Sequence, residues 1–403
     1  MSTSILYHGF RLQHHRYLRT EYVGGTIIFH VETAAGKRRC AQCGSRNFIK
    51  KGKKIRRIRT LPIGKKPVFL AAHLYRLWCS TCQSLRQEPV LWSRPKKRWT
   101  MALGRYIVDL LGNMTVEDVA RYLGMSWDTI KEIHSDSLRK KFRQRRVRHL
   151  RYLGVDEVAV RKGQNYLTIV VDLESGEVVW VGEGRKADAL EPFLRRIKKA
   201  GARIQAIAMD MWPAYLKAVL EHFPRDVIVF DRYHIIADYN LMLDKLRTEE
   251  ASKAAESDRN VFKGVRYLLL KGREKIQGQG GAESRLKELL ELNQTLSIAY
   301  VLKEELRELW TCKGLAEATT ALDQWLTKAW ASNVAALKRF ADRLLARGYG
   351  ILNYFRHRVT TGPVEGINNK IKVLKRKAYG FRDIDYFKLR IYFLHESRYA
   401  LLG

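Results

Sequence analysis

The sequence predicts a multidomain α/β protein: a β-rich region that carries cysteines, a helical hairpin, and then a mixed sheet interrupted by an all-helical insertion. Three observations predict it. Two Cys-x-x-Cys pairs lie in a strand-patterned N-terminal stretch; Gly124 separates two helical segments that each begin with a capping residue; and the strand candidates from Tyr152 onward change from direct succession to alternation with helices. The boundaries fall at 1–95, 96–150, 151–240, 241–349 and 350–403, the third and fifth forming two parts of one sheet domain around the fourth. A chain of 403 residues exceeds one ordinary core, and 46% hydrophobic content supports several.

In residues 1–95, EYVGGTIIFHVET and KPVFLAAHLYRLWC read as strands, with LPIGKKP as a turn. Cys40, Cys43, Cys79 and Cys82 lie within this region, and two thiolate pairs on tight knuckles close a tetrahedral site. Gly44 after the first pair permits the positive φ of a knuckle. The 35 residues between the pairs suit an inserted hairpin. Structural Zn²⁺ is expected; two unrelated pairs or a redox dithiol is the alternative, and a lone redox motif explains only one pair. Cys312 stands alone.

The basic linker PKKRW leads into TVEDVARYLGMSWDTIKEI. Thr115 caps a first helix with Asp118 at its third position, Gly124 ends it, and Ser126 caps a second helix with Trp127, Thr129 and Lys131 near its start. That is the pattern of a helix-turn-helix, whose second helix presents those four residues to DNA. The run from Lys140 to Arg151, including Arg145 and Arg146, extends the basic surface; a solvated charged face is its alternative reading.

Lys and Arg number 75 against 41 Asp and Glu, a formal charge of +34 that is spread from Arg11 to Arg398. Such a distribution favours a polyanion along much of the molecule. No apolar run approaches the roughly 18 residues of a spanning helix. The N-terminus MSTSILYHGFRLQHH lacks the apolar core of a signal peptide, so a cytoplasmic location without membrane contact is expected.

From Tyr152 come three strands, RYLGVDEVAV, NYLTIVVDL and EVVWVGEG, the last two joined by a turn at Glu174, Ser175 and Gly176. The helix ADALEPFLRRIKKA closes at Gly201, and the strand RIQAIAMD, the helix WPAYLKAVLEHF, the strand VIVFD and a helix opening at Tyr233 follow. A meander followed by right-handed crossovers, βββαβαβα, gives the mixed sheet of the ribonuclease-H-like fold. Residues 241–349 read as helical throughout and interrupt that sheet domain.

On the first strand, alternation puts Asp156 with Gly154 and Val158 on one face and Glu157 on the other. Asp210 ends an otherwise apolar strand, where crossover sheets place ligand groups. Acids on adjacent strand ends repel unless a cation lies between them, and a hard divalent ion takes oxygen ligands. Glu365, in GPVEGINNKIKVLKRKAYG, supplies a third. In that helix Ile367, Ile371, Leu374 and Ala378 form a core stripe, while Glu365, Asn369, Lys372 and Arg376 repeat the same steps on another face. With Lys370 and Lys375 the run suits a phosphate track beside a metal ligand. The alternative is a helix-dipole role for Glu365, worth under about 1 kcal/mol.

These motifs resemble the DDE transposases of bacterial insertion sequences, specifically the ISL class with a zinc-binding N-terminal domain. The resemblance covers nearly the whole chain and is most specific in TGPVEGINNKIKVLKRKAYGFRDIDYFKLRIYF, through Gly362, Pro363, Glu365, Gly366, Asn368 and the Lys-Arg run. It implies a catalytic triad of Asp156, Asp210 and Glu365 holding two Mg²⁺ or Mn²⁺ ions for phosphoryl transfer on DNA. It also implies double-stranded DNA partners, the terminal inverted repeats and a target, and at least a homodimer. Many relatives have a second Asp where this chain has Glu157, which stays outside the triad. Asp231 and His234 resemble the D-x-x-H element of several such groups, which orients the metal site or contacts DNA; a core-lining polar pair is the alternative. Trp310, Trp325 and Trp330 are candidates to receive an unstacked base, or core residues. Two other functions fit fewer features: a zinc-ribbon DNA-binding regulator without catalysis, and a ribonuclease-H-like nuclease.

Overall fold

The computed structural model describes residues 4–143, 145–161 and 165–396. It divides into two units, residues 1–144 with 377–403, and residues 145–376.

The first unit begins with β1 (His15–Val23), β2 (Thr26–Thr33), β3 (Phe48–Ile63), β4 (Lys66–Cys79) and β5 (Ser84–Gln87), in the order β1-β2-β4-β3 with β5 on β4. The stretch EYVGGTIIFHVET, expected as one strand, folds back on itself instead. Gly24 and Gly25 both take positive φ and make it the tip of the β1–β2 hairpin. Val31, Ile58, Val68, Leu70 and Leu74 form the sheet's buried side. The long gap between the cysteine pairs is the β3–β4 hairpin, whose register sets Cys79 opposite Phe48 and so returns the second pair to the first.

Three helices follow, α1 (Met101–Leu110), α2 (Val116–Leu123) and α3 (Trp127–Phe142). Thr115 and Asp118 make a reciprocal capping box, Gly124 ends α2 in the left-handed region at φ 57°, and the Ser126 hydroxyl accepts from the Thr129 N–H. Leu103, Ile107, Leu111, Val119, Ile130 and Ile133 bury the facing stripes.

The second unit contains β6 (Tyr152–Arg161), β7 (Asn165–Asp172), β8 (Val178–Glu183), β9 (Ala206–Met209) and β10 (Ile228–Phe230). Their order is β10-β9-β6-β7-β8, antiparallel through β6, β7 and β8 and parallel through β6, β9 and β10. Helix α4 (Ala187–Lys199) buries Leu190, Phe193, Leu194 and Ile197 in one core with Leu153 and Val155 of β6; α5 (Pro213–Leu220) adds Tyr215 and Val219. Helix α6 (Arg232–Lys253) then runs unbroken through position 240, where the sequence reading put a boundary.

The helical block includes α7 (Gly280–Leu292), α8 (Gln294–Glu308), α9 (Leu315–Ala331) and α10 (Ala335–Ala346). Tyr239 of α6 meets Trp325 and Phe340 edge-on, which joins the block to the sheet's own core. Helices α11 (Gly348–His357) and α12 (Gly362–Lys377) bring the chain back to the sheet. Gly350 permits this return, since a Cβ there would lie 2.4 Å from the Phe230 ring.

The last helix, α13 (Ile384–Phe393), departs from the sequence reading of 350–403 as a single piece. It packs on α3 in the first unit: the Tyr386 hydroxyl lies 2.8 Å from His134 Nδ1, Lys131 pairs with Asp383 at 2.8 Å, and Arg390 donates to the Leu111 carbonyl. Apolar burial of Tyr386, Phe387 and Ile391 decides its place, and no local pattern names the surface they cover.

Candidate active site

The period of two along β6 separates its side chains as expected. Leu153 and Val155 enter the core under α4, whereas Gly154 faces α12. Lacking a side chain, Gly154 admits Val364 so closely that a Cβ there would lie 2.3 Å from its Cγ2. One turn on from Val364, Asn368 donates through Nδ2 to Asp156 Oδ2 at 2.7 Å. The other Asp156 oxygen accepts the Glu157 N–H at 2.7 Å. Burial pushes the Asp156 carboxyl above its ordinary range, the Glu157 N–H and His234 oppose this, and the charges of Asp210 and Asp231 add to it. Glu157 points away, 4.0 Å from Arg185.

Asp210 follows β9 and accepts the Trp212 N–H just before α5 begins. Asp231 caps α6 through the Tyr233 N–H at 3.0 Å, and its second oxygen accepts the Thr361 hydroxyl at 2.5 Å. His234, one turn into α6, lies between the two acids: Nδ1 is 3.9 Å from Asp210 Oδ2, and Nε2 is 3.9 Å from Asp231 Oδ2. Adjacent strands β6, β9 and β10 thus gather Asp156, Asp210 and Asp231 with His234 and Asn368.

Glu365 is exposed in the first turn of α12, three residues before Asn368 and so on a neighbouring helical position. Among the described residues, two sets of three or more ligating side chains have all their donor atoms within 4.8 Å of one another: the four cysteines, and Glu191, Glu221 and His222. Asp156, Asp210 and Glu365 do not form such a set in this structure. Their donors are nevertheless suited to a hard cation, being all carboxylate oxygens, and the Asn368 Oδ1 is buried beside Asp156 without a hydrogen-bond partner. Sequence reasoning named Asn368 as a motif residue but gave it and Thr361 no role, and it set Asn369 rather than Asn368 on the face of Glu365; the motif itself was the available signal.

The basic run divides. Lys370, Lys372 and Arg376 are exposed, while Lys375 donates to the carbonyls of Ala159 and Val160 at 3.0 and 3.3 Å and ties α12 to the end of β6. On α3, Trp127 is exposed and Ser126 and Thr129 share a 2.8 Å hydroxyl contact, but Lys131 is held by Asp383. Trp325 is buried and donates to the Leu302 carbonyl, Trp310 is buried, and Trp330 is partly exposed with its N–H on Asp342.

The cysteines form a separate centre. Cys40 and Cys82 sulfurs lie 3.7 Å apart, and those of Cys43 and Cys79 3.5 Å apart. A tetrahedron with metal–sulfur bonds of about 2.3 Å has edges of about 3.8 Å, so four thiolates so arranged fit zinc. The N–H of Cys82, with the Cys43 thiol and the Thr81 N–H, holds the Cys79 thiol down to about 6 against burial, and Gly44 takes φ 72° in the first knuckle.

Residues 153–391 match a family described as transposase, the DDE class of ISL3 type. Residues 36–82 match the zinc finger of the transposases IS204, IS1001, IS1096 and IS1165, and residues 88–136 the helix-turn-helix domain of the ISL3 transposase family. The chain is 37% identical over 372 residues to the transposase for insertion sequence element IS1001 of Bordetella parapertussis, covering 91% of each. It is 27% identical over 389 residues to that of IS1557 of Mycobacterium tuberculosis, covering 89% of this chain and 86% of the relative. The Drosophila P element transposase strand transfer complex aligns with a TM-score of 0.42 at 13% identity, over 74% of this chain and 93% of that one.

Proposed function

This chain belongs to the ISL3 family of DDE transposases, and from that membership we propose that Asp156, Asp210 and Glu365 are its catalytic acids, acting on the ends of its own insertion sequence. A zinc ribbon and a helix-turn-helix accompany the transposase domain, so DNA is the partner, in keeping with the charge of +34. The observation that supports the triad best is the Asn368–Asp156 hydrogen bond, because it fixes the helix bearing Glu365 against the strand bearing Asp156.

Divalent ions, two Mg²⁺ or Mn²⁺, supply a lowered water pKa and charge stabilisation at the phosphoryl group when bound. The chain's own residues do the rest. Asp156 and Asp210 concentrate negative charge at the strand ends, and Asn368 orients one carboxylate oxygen of Asp156. Asp231 and Thr361 fix the start of α6, and with it His234, beside Asp210. Water attacks the phosphodiester at the element's end and leaves a 5′-phosphate and a free 3′-hydroxyl; that hydroxyl then attacks a phosphodiester of the target strand and displaces a target 3′-hydroxyl, so neither step needs a covalent protein intermediate. Exposed Lys370, Lys372 and Arg376 follow Glu365 along α12 as phosphate contacts.

Cys40, Cys43, Cys79 and Cys82 hold structural zinc, closing the open end of the β3–β4 hairpin. The ribbon and α3, with Ser126, Trp127 and Thr129, read the terminal inverted repeats. Pairing two ends requires at least a dimer. No helix among the described residues is long and apolar enough to cross a membrane, and the site of action is DNA in the cytoplasm.

Asp156→Asn, Asp210→Asn and Glu365→Gln each remove a ligand charge without touching a phosphate contact. Each is expected to abolish cleavage of an end-bearing duplex while its binding stays within a few-fold of wild type. A variant that cuts at the wild-type rate removes that residue from the triad, and a wild-type protein that binds such duplexes without cutting them under Mg²⁺ or Mn²⁺ favours a regulator.

A further inference from the structure

The face of the sheet away from α12 carries a second concentration of charge. Residues 145–149 run along α4, anchored by buried Val147 and by Leu150, which share a core with Leu190, Phe193 and Ile197. The Arg145 guanidinium donates to the Val178 carbonyl, and Arg196 donates to the Arg145 carbonyl at 2.5 Å. Between this segment and the helix lies an open groove of about 800 Å³, lined by Arg145, Arg146, Arg148, Arg195, Arg196 and Lys199, with no carboxylate among its lining residues.

Cations in the last turn of α4 favour the helix dipole, which accounts for some of them. It does not account for three arginines arriving from a different segment to face them. Glu191 pairs with Arg195 at 3.1 Å, an exposed i,i+4 contact of the kind that contributes little. Six like charges around one concavity repel one another unless a polyanion enters it. Because α4 and α12 cover opposite faces of β6, a phosphate held here is not the one presented to Asp156.

We infer that this groove binds the phosphate backbone of duplex DNA, specifically the flank of the terminal repeat whose neighbouring bases α3 reads. The inference rests on the transposase reading and adds a second phosphate track to it. Arg145 follows the last residue of α3 by three positions in the chain, so a duplex engaged by α3 is tethered to the part of the chain that carries the groove. A target duplex has no such tether.

The test uses the full-length protein with Arg148→Ala, Arg195→Ala and Lys199→Ala combined, all exposed positions whose removal leaves the Arg145–Val178 and Arg196–Arg145 bonds in place. Binding to a duplex carrying the terminal repeat with its flank, and to a random duplex, is titrated between 50 and 200 mM salt. The slope of log K against log salt should fall by about 2.7, about 0.9 for each of three lost contacts, and both duplexes should weaken together. The counterpart Arg148→Lys, Arg195→Lys and Lys199→Arg should restore the slope, and an unchanged melting temperature separates lost contacts from a lost fold. Unchanged affinity and slope in the Ala variant overturn the inference, as does intact end binding with loss confined to strand transfer into a second duplex. A wild-type protein that binds but never cuts refutes the transposase reading instead, while the salt slope still decides the groove.

Discussion

Replacing Gly154 with alanine should injure catalysis through packing alone. The added Cβ would lie 2.3 Å from Val364 Cγ2 and 2.8 Å from Leu173 Cδ2. Non-bonded carbons rest at about 3.5 Å or more, so the first contact requires a displacement of about 1.2 Å. Leu173 can turn aside, but Val364 is fully buried on α12 and carries the helix with it. The 2.7 Å bond from Asn368 to Asp156 would then lengthen beyond hydrogen-bonding range, and Glu365 would move with the same helix. Overpacking of this kind costs about 1–3 kcal/mol of stability. A misplacement of about 1 Å at a reacting centre costs about 100-fold in rate. Single-turnover cleavage of an end-bearing duplex, measured beside a thermal melt, separates the two effects. Combining Gly154→Ala with Val364→Ala removes the clashing methyl and should recover most of the lost rate, so the double variant should cut faster than Gly154→Ala alone. If Gly154→Ala loses stability yet its folded fraction cuts at the wild-type rate, the seating of α12 on β6 does not set the site.

Two further outcomes concern the first unit. Chelating zinc, or replacing Cys79 with Ser, should unfold the β-rich region and weaken end recognition, because a closed thiolate site contributes directly to folding; purified protein with no zinc and four freely titrating thiols would contradict this. His134 is fully buried against α13, and burial together with the Arg390 charge pushes its pKa down to about 3. Above about pH 6.5 neither the folded nor the unfolded state protonates it, and below that value only the unfolded state does. Stability should therefore fall by about 1.4 kcal/mol per pH unit, to a loss of about 2 kcal/mol at pH 5. Urea midpoints between pH 7 and 5 should show this loss in the wild type and a flatter profile in His134→Gln, and parallel profiles would refute it.

The alternation of β6, the capping box at Thr115 and Asp118, the left-handed Gly124 and the Cys-x-x-Cys spacing within each cysteine pair are all local: each is decided by residues within a few positions of one another. So are the crossovers from β8 onward, where apolar strands alternate with amphipathic helices, and these together fix the order of a ribonuclease-H-like sheet. That is why the strands bearing Asp156 and Asp210, and the helix bearing Glu365, could be read from sequence. The placement of α13 on α3 and the continuity of α6 into the helical block depend on which apolar surfaces find each other, and many pairings satisfy the same stripes. The same holds for the convergence of Arg145, Arg146 and Arg148 on α4, and for Asn368 reaching Asp156 across 212 positions of chain. A pattern of periods determines which face of an element is apolar, whereas only the packed chain selects its partner, because that choice is settled by shape and by the absence of a Cβ at positions such as Gly154 and Gly350.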